Sequence, residues 1–238
     1  DTSSISNPLP YIFSSWGQWN ISLIITDQNL CKDTINKLIS IYPNPEVNFN
    51  SLSSCDSNLL CDNQISLFND NSFLESFGGL MTNEYWYIDN NISDSSIFTQ
   101  TYSTMLDSGS YTIKHIIKTQ YGCTDSISKN FEVVNIPIPN FNINDTICGN
   151  DTSLISITNL SYGSIESSYL KVKDMNDSII ILDSIYNNSS QIFIQLNSAA
   201  TIIKYYIELT VSNCCGDSTF LDSIIILPNP NVFFVTNP

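Results

Sequence analysis

Tyr111-Thr112-Ile113-Lys114-His115-Ile116-Ile117 places large side chains at every second position. Tyr121-Gly122-Cys123-Thr124-Asp125-Ser126 then turns the chain into a second alternating run through Phe131 and Val133. Period two is the pattern of a strand with one face on a core, and two such runs around a polar turn read as a hairpin. The stretch has two relatives within the chain. Cys31-Lys32-Asp33-Thr34, Cys123-Thr124-Asp125-Ser126 and Cys215-Gly216-Asp217-Ser218 stand 92 residues apart in both steps (123 − 31 and 215 − 123). Upstream of each cysteine runs the same column: Trp19, Ile21, Leu23 and Ile25; Tyr111, Ile113, His115 and Ile117; Ile203, Tyr205, Ile207 and Leu209. Downstream comes a proline pair, Pro43/Pro45, Pro137/Pro139 and Pro228/Pro230, which stops strand pairing and stiffens a connector. Three elements in one order at one period make a tandem repeat.

A repeat of about 92 residues, made of short strands and turn-rich loops without capped helical segments, has the size of an immunoglobulin-like sandwich. The expected fold is therefore all-β: tandem immunoglobulin-like sandwiches in a rod. Residues 1–44 read as the closing half of a repeat, 45–138 and 139–229 as complete repeats, and 230–238 as the start of another. On this reading the 238 residues are a piece of a longer array. The expected cores contain Trp86, Tyr111, Ile113, His115 and Ile117 in the second copy, and Tyr205, Ile207 and Leu209 in the third.

Composition narrows the function. Only 13% of residues are charged and the net charge is −15, which repels phosphate backbones and anionic membrane surfaces. Nucleic acid is thus excluded as a partner. Apolar runs such as Ser223–Leu227 are strand-sized, so no membrane insertion is expected. Seven cysteines without a Cys-x-x-Cys pair point to disulfides and an oxidising, extracellular location.

Gly109-Ser110-Tyr111-Thr112-Ile113, Tyr121-Gly122-Cys123-Thr124-Asp125-Ser126, Val133 and the Pro-x-Pro together resemble the closing half of a polycystic kidney disease (PKD) domain. Phe68-Asn69-Asp70-Asn71-Ser72 resembles that family's second strand. Glu84-Tyr85-Trp86-Tyr87-Ile88-Asp89 lies where the family carries Trp-x-Phe-Gly-Asp-Gly, and Thr101-Tyr102-Ser103 is similar to its Thr-Tyr element. The third copy is degenerate, with Leu170-Lys171-Val172 in place of the tryptophan strand, and neither copy keeps the Gly-Asp-Gly. Cysteine-bearing tandem repeats of this style look like those of giant Bacteroidota surface proteins, including gliding adhesins and type IX secretion cargo. The resemblance implies a non-catalytic structural or adhesive segment at the cell surface. Its partners would be neighbouring repeats of the same chain and surface polysaccharide or other surface proteins. The alternative is a set of accessory spacer or binding repeats in a secreted hydrolase.

Candidate sites are few. His115 is the single histidine, and its counterparts 92 residues away are Leu23 and Ile207, so it reads as a neutral core residue rather than a catalyst or ligand. No nucleophile elbow or metalloprotease motif occurs, and neither enzyme activity nor a cofactor is expected. Asp89 with Asp94, and Asp174 with Asp177, are weak calcium candidates that lack the EF-hand spacing, so turn roles compete with them. Thr34, Ser126, Thr146, Ser178, Ser184 and Ser223 each follow an aspartate and precede an isoleucine. That pattern resembles the Bacteroidota O-glycosylation site, although strand starts also follow turn aspartates.

For the cysteines, pairing within repeats gives Cys61–Cys123 and Cys148–Cys215. Cys55 and Cys214, which have no counterparts in the other copies, are left to pair across the junction between repeats. Cys31 then remains over, its partner upstream. An immunoglobulin-like topology, however, puts the loop before strand two and the last hairpin at opposite ends of a sandwich. That strains both within-repeat pairs and leaves Cys61 able to reach the next repeat instead, so the connectivity stays open.

Overall fold

In a computed structural model of the chain, residues 2–230 are described apart from 54, 57, 98, 144–145, 150–152, 185–190 and 197–200. The alternating segments are strands. In chain order they are β1 (Gly17–Thr26), β2 (Lys32–Ile41), β3 (Phe49–Ser51), β4 (Leu59–Cys61), β5 (Ile65–Asp70), β6 (Met81–Ile88), β7 (Asn91–Ile97), β8 (Thr101–Met105), β9 (Gly109–Thr119) and β10 (Thr124–Val134). There follow β11 (Phe141–Asn142), β12 (Thr146–Cys148), β13 (Ser153–Asn159), β14 (Ser167–Lys173), β15 (Ile179–Ser184), β16 (Gln191–Leu196), β17 (Ile203–Asn213) and β18 (Gly216–Leu227). Among the described residues the helical content is one 3-10 turn, Ser76–Gly78, and no helix is long and apolar enough to cross a membrane.

The second copy contributes a three-stranded sheet, β3-β5-β8, and a five-stranded sheet, β4-β10-β9-β6-β7. The third copy repeats the plan as β11-β13-β16 and β12-β18-β17-β14-β15. The short strands β4 and β12 join in parallel to β10 and β18, whereas β14 and β6 pair antiparallel with β17 and β9. The described chain also divides into two compact units. One comprises Asp1–Leu52, Leu67–Ser103 and Tyr111–Phe131; the other comprises Ser53–Ser66, Thr104–Ser110 and Glu132–Pro238.

Each core follows from the alternation. In the second unit, Phe141 and Ile157 of one sheet close on Leu170, Ile207, Leu209 and Ile224 of the other. In the first unit the filling is aromatic: Phe49 packs edge-on against Phe68 (6.0 Å between centroids) and Trp86 (5.1 Å), with Tyr102 stacked on Trp86 at 5.0 Å. Trp86, Ile113, His115 and Ile117 are fully buried, as are Ile207 and Leu209, with Tyr205 nearly so. Tyr111 departs from the expectation. It stands near the start of β9 and is half-buried. The β1–β2 hairpin pairs along its whole length, from Gly17↔Ile41 to Thr26↔Lys32. Its column differs from its counterparts, with Ile21, Leu23 and Ile25 all exposed.

The copies share more than the cysteine spacing reveals. The Ser72 hydroxyl accepts from the Asn48 N–H (2.9 Å) and donates to the Asn48 carbonyl (3.1 Å). Ser161 does the same for Asn140 (3.0 and 3.3 Å). The offset is 92 for the asparagines (140 − 48) and 89 for the serines (161 − 72), so the third copy is three residues shorter between them. The serine satisfies the asparagine N–H and adds a second donor to its carbonyl, which also accepts from Asn71 in one copy and Leu160 in the other, at a point where the chain bends out of the ladder. Ser161→Ala is expected to lower the unfolding free energy by about 1–2 kcal/mol, the usual cost of stranding such groups, as measured by denaturant unfolding.

Candidate functional site

Two turns meet in the second unit. Cys55 lies just before β4 and Cys61 is its last residue, while Cys214 and Cys215 are the two turn residues between the paired Asn213 and Gly216. Asn213 fixes that turn: its Oδ1 accepts from the Cys215 N–H (2.9 Å) and its Nδ2 donates to the Asn135 carbonyl (2.8 Å). Cys55 is bonded to Cys214 and Cys61 to Cys215, with Cα–Cα distances of 5.2 and 5.5 Å. The bridges lie side by side, the Cys55 sulfur being 3.6 Å from that of Cys61 and 3.8 Å from that of Cys215. Among the described residues this is the sole cluster of three or more metal-ligand side chains, all four sulfurs lying within 4.8 Å of one another. Bonded in pairs, they present no thiolate to a metal.

The within-repeat pairs Cys61–Cys123 and Cys148–Cys215 do not form, and strand length is the reason. Cys123 precedes β10, whose last residue, Val134, pairs with Cys61 eleven residues on. Cys215 precedes β18, whose last residue, Leu227, pairs with Cys148 twelve residues on. At ~3.3 Å per residue the members of each pair are separated by roughly 35–40 Å of strand, against the ~7 Å limit for a bridge. Cys31 and Cys148 are exposed free thiols and Cys123 is a half-buried one. The vicinal pair carried the missing signal. Once Cys214 bonds Cys55, the adjacent Cys215 is ~3.8 Å away and cannot reach the far end of its own sandwich.

The other unusual group is the His115 environment in the first unit. His115, fully buried, stacks on Trp86 at 3.8 Å and 6°. Its Nδ1 is 3.6 Å from Asp70 Oδ1 and its Nε2 is 3.5 Å from Glu84 Oε2. The position is the core one that the repeat column predicted, and it sets the imidazole between carboxylates of the two sheets. Glu84 stands two residues before Trp86 and so shares its inward face, which was readable from period two. Burial pushes the Glu84 carboxyl up. The imidazole and the Thr99 N–H (3.0 Å) and hydroxyl (2.5 Å) outweigh it and hold the carboxyl below its ordinary value. A depressed carboxyl contributes stability above its unfolded value and loses it as pH falls through the folded one. Unfolding measured below pH 4.5, the ordinary value, is expected to show a steeper loss of stability in the wild type than in Glu84→Gln. An equal slope would deny Glu84 this role.

The aspartates named from sequence have local work. Asp89 and Asn90 take positive φ (48° and 66°) in the two-residue turn joining β6 to β7, and Asp89 Oδ1 accepts from the Thr112 N–H at 2.8 Å. Asp94 is an exposed residue of β7 paired opposite Trp86. Asp174 Oδ1 accepts from the N–H groups of Asn176 (2.8 Å) and Ser178 (2.9 Å), and Asp177 pairs with Lys173 at 3.1 Å. The four do not gather into a ligand set among the described residues. Thr34, Ser126, Thr146 and Ser178 are exposed and Ser223 is half-buried. Ser184 ends β15, and its side chain lies outside the described residues.

No protein-family model and no curated protein sequence matches the chain. Among solved structures it is similar to the I-band fragment I67–I69 from titin (TM-score 0.53, 15% identity), covering 79% of this chain and 66% of that one. It is similar to the three N-terminal domains of the bacteriophage RB49 outer capsid protein Hoc (TM-score 0.51, 9% identity, 87% and 77% covered). A third likeness is to the N-terminal eight immunoglobulin domains of Down syndrome cell adhesion molecule (TM-score 0.53, 10% identity), covering 88% of this chain but 28% of that one. At these identities the likeness bears on fold: the chain consists of tandem immunoglobulin-like β-sandwiches.

Proposed function

We propose that the chain is a non-catalytic, load-bearing segment of a large cell-surface protein, an array of PKD-like repeats of the Bacteroidota adhesin or stalk type. The repeats run over about 45–138 and 139–229. The observation that carries this reading is the double bridge from Cys55 and Cys61, in the second copy, to Cys214 and Cys215, in the third. A disulfide pair between successive copies suits a protein that is held taut in an oxidising compartment, and it has little use in a reducing one. The net charge of −15 supports a surface that repels anionic lipid and nucleic acid. The exposed Thr34, Ser126, Thr146 and Ser178 are accessible to the O-glycosylation that their sequence context resembles.

The test is protease shaving of intact cells that produce the natural protein, followed by mapping of the released peptides without reduction. Peptides from 45–229 joined through Cys55–Cys214 and Cys61–Cys215 are expected in the released fraction. Recovery of these peptides in the cytosolic fraction alone, with all seven cysteines alkylated, would overturn the proposal.

A further inference from the structure

Cys31, Cys123 and Cys148 are free, yet each occupies a position that is bonded in another copy. Cys148 is the last residue of β12 and pairs with Leu227, the last residue of β18. Cys61 is the last residue of β4 and pairs with Val134, the last residue of β10. The next N–H donates to the same carbonyl in both cases: Gly149 to Leu227 (2.7 Å) and Asp62 to Val134 (3.0 Å). Cys148 is thus the strand half of the clamp. Cys31 and Cys123 are hairpin halves, 92 residues apart, and Cys215 follows Cys123 by a further 92.

A second observation is independent of that alignment. The Cys215 sulfur lies 3.7 Å from the Val134 carbonyl, and the Cys123 sulfur lies 3.9 Å from the Tyr42 carbonyl. Both the sulfurs (215 − 123) and the carbonyls (134 − 42) differ by 92. The hairpin of the second copy therefore rests on the end of the first copy's closing hairpin in the same way that the third rests on the second. The position beside Tyr42 is where a strand equivalent to β4, carrying a cysteine at its end, would pair.

We infer that Cys123, Cys148 and Cys31 are half-sites of a disulfide repeated along the array, in which the strand-end cysteine of each repeat bonds the hairpin-turn cysteine of the next. The partner of Cys148 is the Cys-x-Asp-Ser/Thr turn of a further repeat of this protein, and the partner of Cys123 is a strand-end cysteine of the preceding one. Each bond forms by thiol–disulfide exchange. Two thiols and one oxidant disulfide become one protein disulfide and two oxidant thiols, so two electrons and two protons pass to the oxidant. Because Cys148 precedes Cys215, successive closed loops overlap and no stretch of the array is left outside one.

The inference rests on the reading of the chain as part of such an array. The experiment is alkylation and non-reducing peptide mapping of the intact natural protein. The expected result is loss of alkylation at Cys31, Cys123 and Cys148, with Cys148 joined to a Cys-x-Asp-Ser/Thr peptide from outside residues 1–238. In the intact Cys148→Ser protein one new alkylatable thiol is expected in that same peptide. Alkylation of Cys148 as a free thiol, its bonding to Cys31 or Cys123, or a covalent dimer of two chains through it would each overturn the inference. If further cysteine repeats are found in the digest while Cys148 is alkylated, the array reading stands and the linkage alone fails. If no such repeats are found, both fail.

Discussion

Stretched between handles at its two ends, the oxidised chain is expected to stop lengthening about 550 Å short of the reduced chain. The Cys55–Cys214 bridge spans 159 residues, and force entering at Cys55 leaves through Cys214 without loading what lies between. At ~3.5 Å of contour per residue the shielded stretch is worth about 550 Å. The second bridge makes the shield redundant. With Cys55 and Cys214 both changed to alanine, Cys61–Cys215 still spans 154 residues, so the gain should be only about 20 Å. The full increment should appear only when all four cysteines are replaced or both bridges are reduced.

The same redundancy sets the equilibrium cost. By loop-closure entropy the first bridge, closing a loop of this length, contributes about 5 kcal/mol. The second closes a ring of fewer than ten residues and adds about 2–3 kcal/mol. Either double-alanine variant is therefore expected to unfold with a modest loss and the four-alanine variant with a large one, as read by calorimetry. A full contour gain from a single double variant would show that the bridges do not act in parallel.

His115→Leu, which installs the side chain found at the equivalent Leu23, is expected to destabilise the second copy by about 3–5 kcal/mol. The substitution leaves the fully buried Glu84 carboxylate and the neighbouring Asp70 facing an apolar group. The third copy shows how the same place is filled without charge. Ile207 replaces His115, Leu170 pairs with Leu209 where Glu84 pairs with Ile117, and the buried Asn159 stands where Asp70 does, before a serine two residues on. The triple variant Asp70→Asn/Glu84→Leu/His115→Ile should then recover to within about 1–2 kcal/mol of wild type, since a well-packed apolar set commonly equals a buried polar one. The readout is denaturant unfolding followed by tryptophan fluorescence, Trp86 lying against the imidazole. If the single and triple variants are equally destabilised, the contacts of His115 with the carboxylates are not what its position depends on.

How far the sequence reached differs from feature to feature. The columns Ile113/His115/Ile117 and Tyr205/Ile207/Leu209, the hairpins around Cys123 and Cys215 and the all-β class were legible because period two and a 92-residue repeat are properties of the chain itself. So was the special standing of Cys55 and Cys214, which lack counterparts. The partner of Cys61 was legible only through the adjacency of Cys214 and Cys215, because a disulfide is set by where two strand ends come to lie, and the choice between Cys123 and Cys215 turned on eleven residues of extended β10. Tyr111 kept the alternation yet is half-buried, since a strand's first residues extend toward the end of the sheet, where cover depends on neighbours the pattern does not contain. The carboxylates around His115 come from β5 and β6, 45 and 31 residues upstream in the chain. Sequence alone determined which side chains share a face of a strand. Only the packing of one sheet on the other decided which inward-facing groups meet, because side-chain direction is a local property of the backbone and proximity is not.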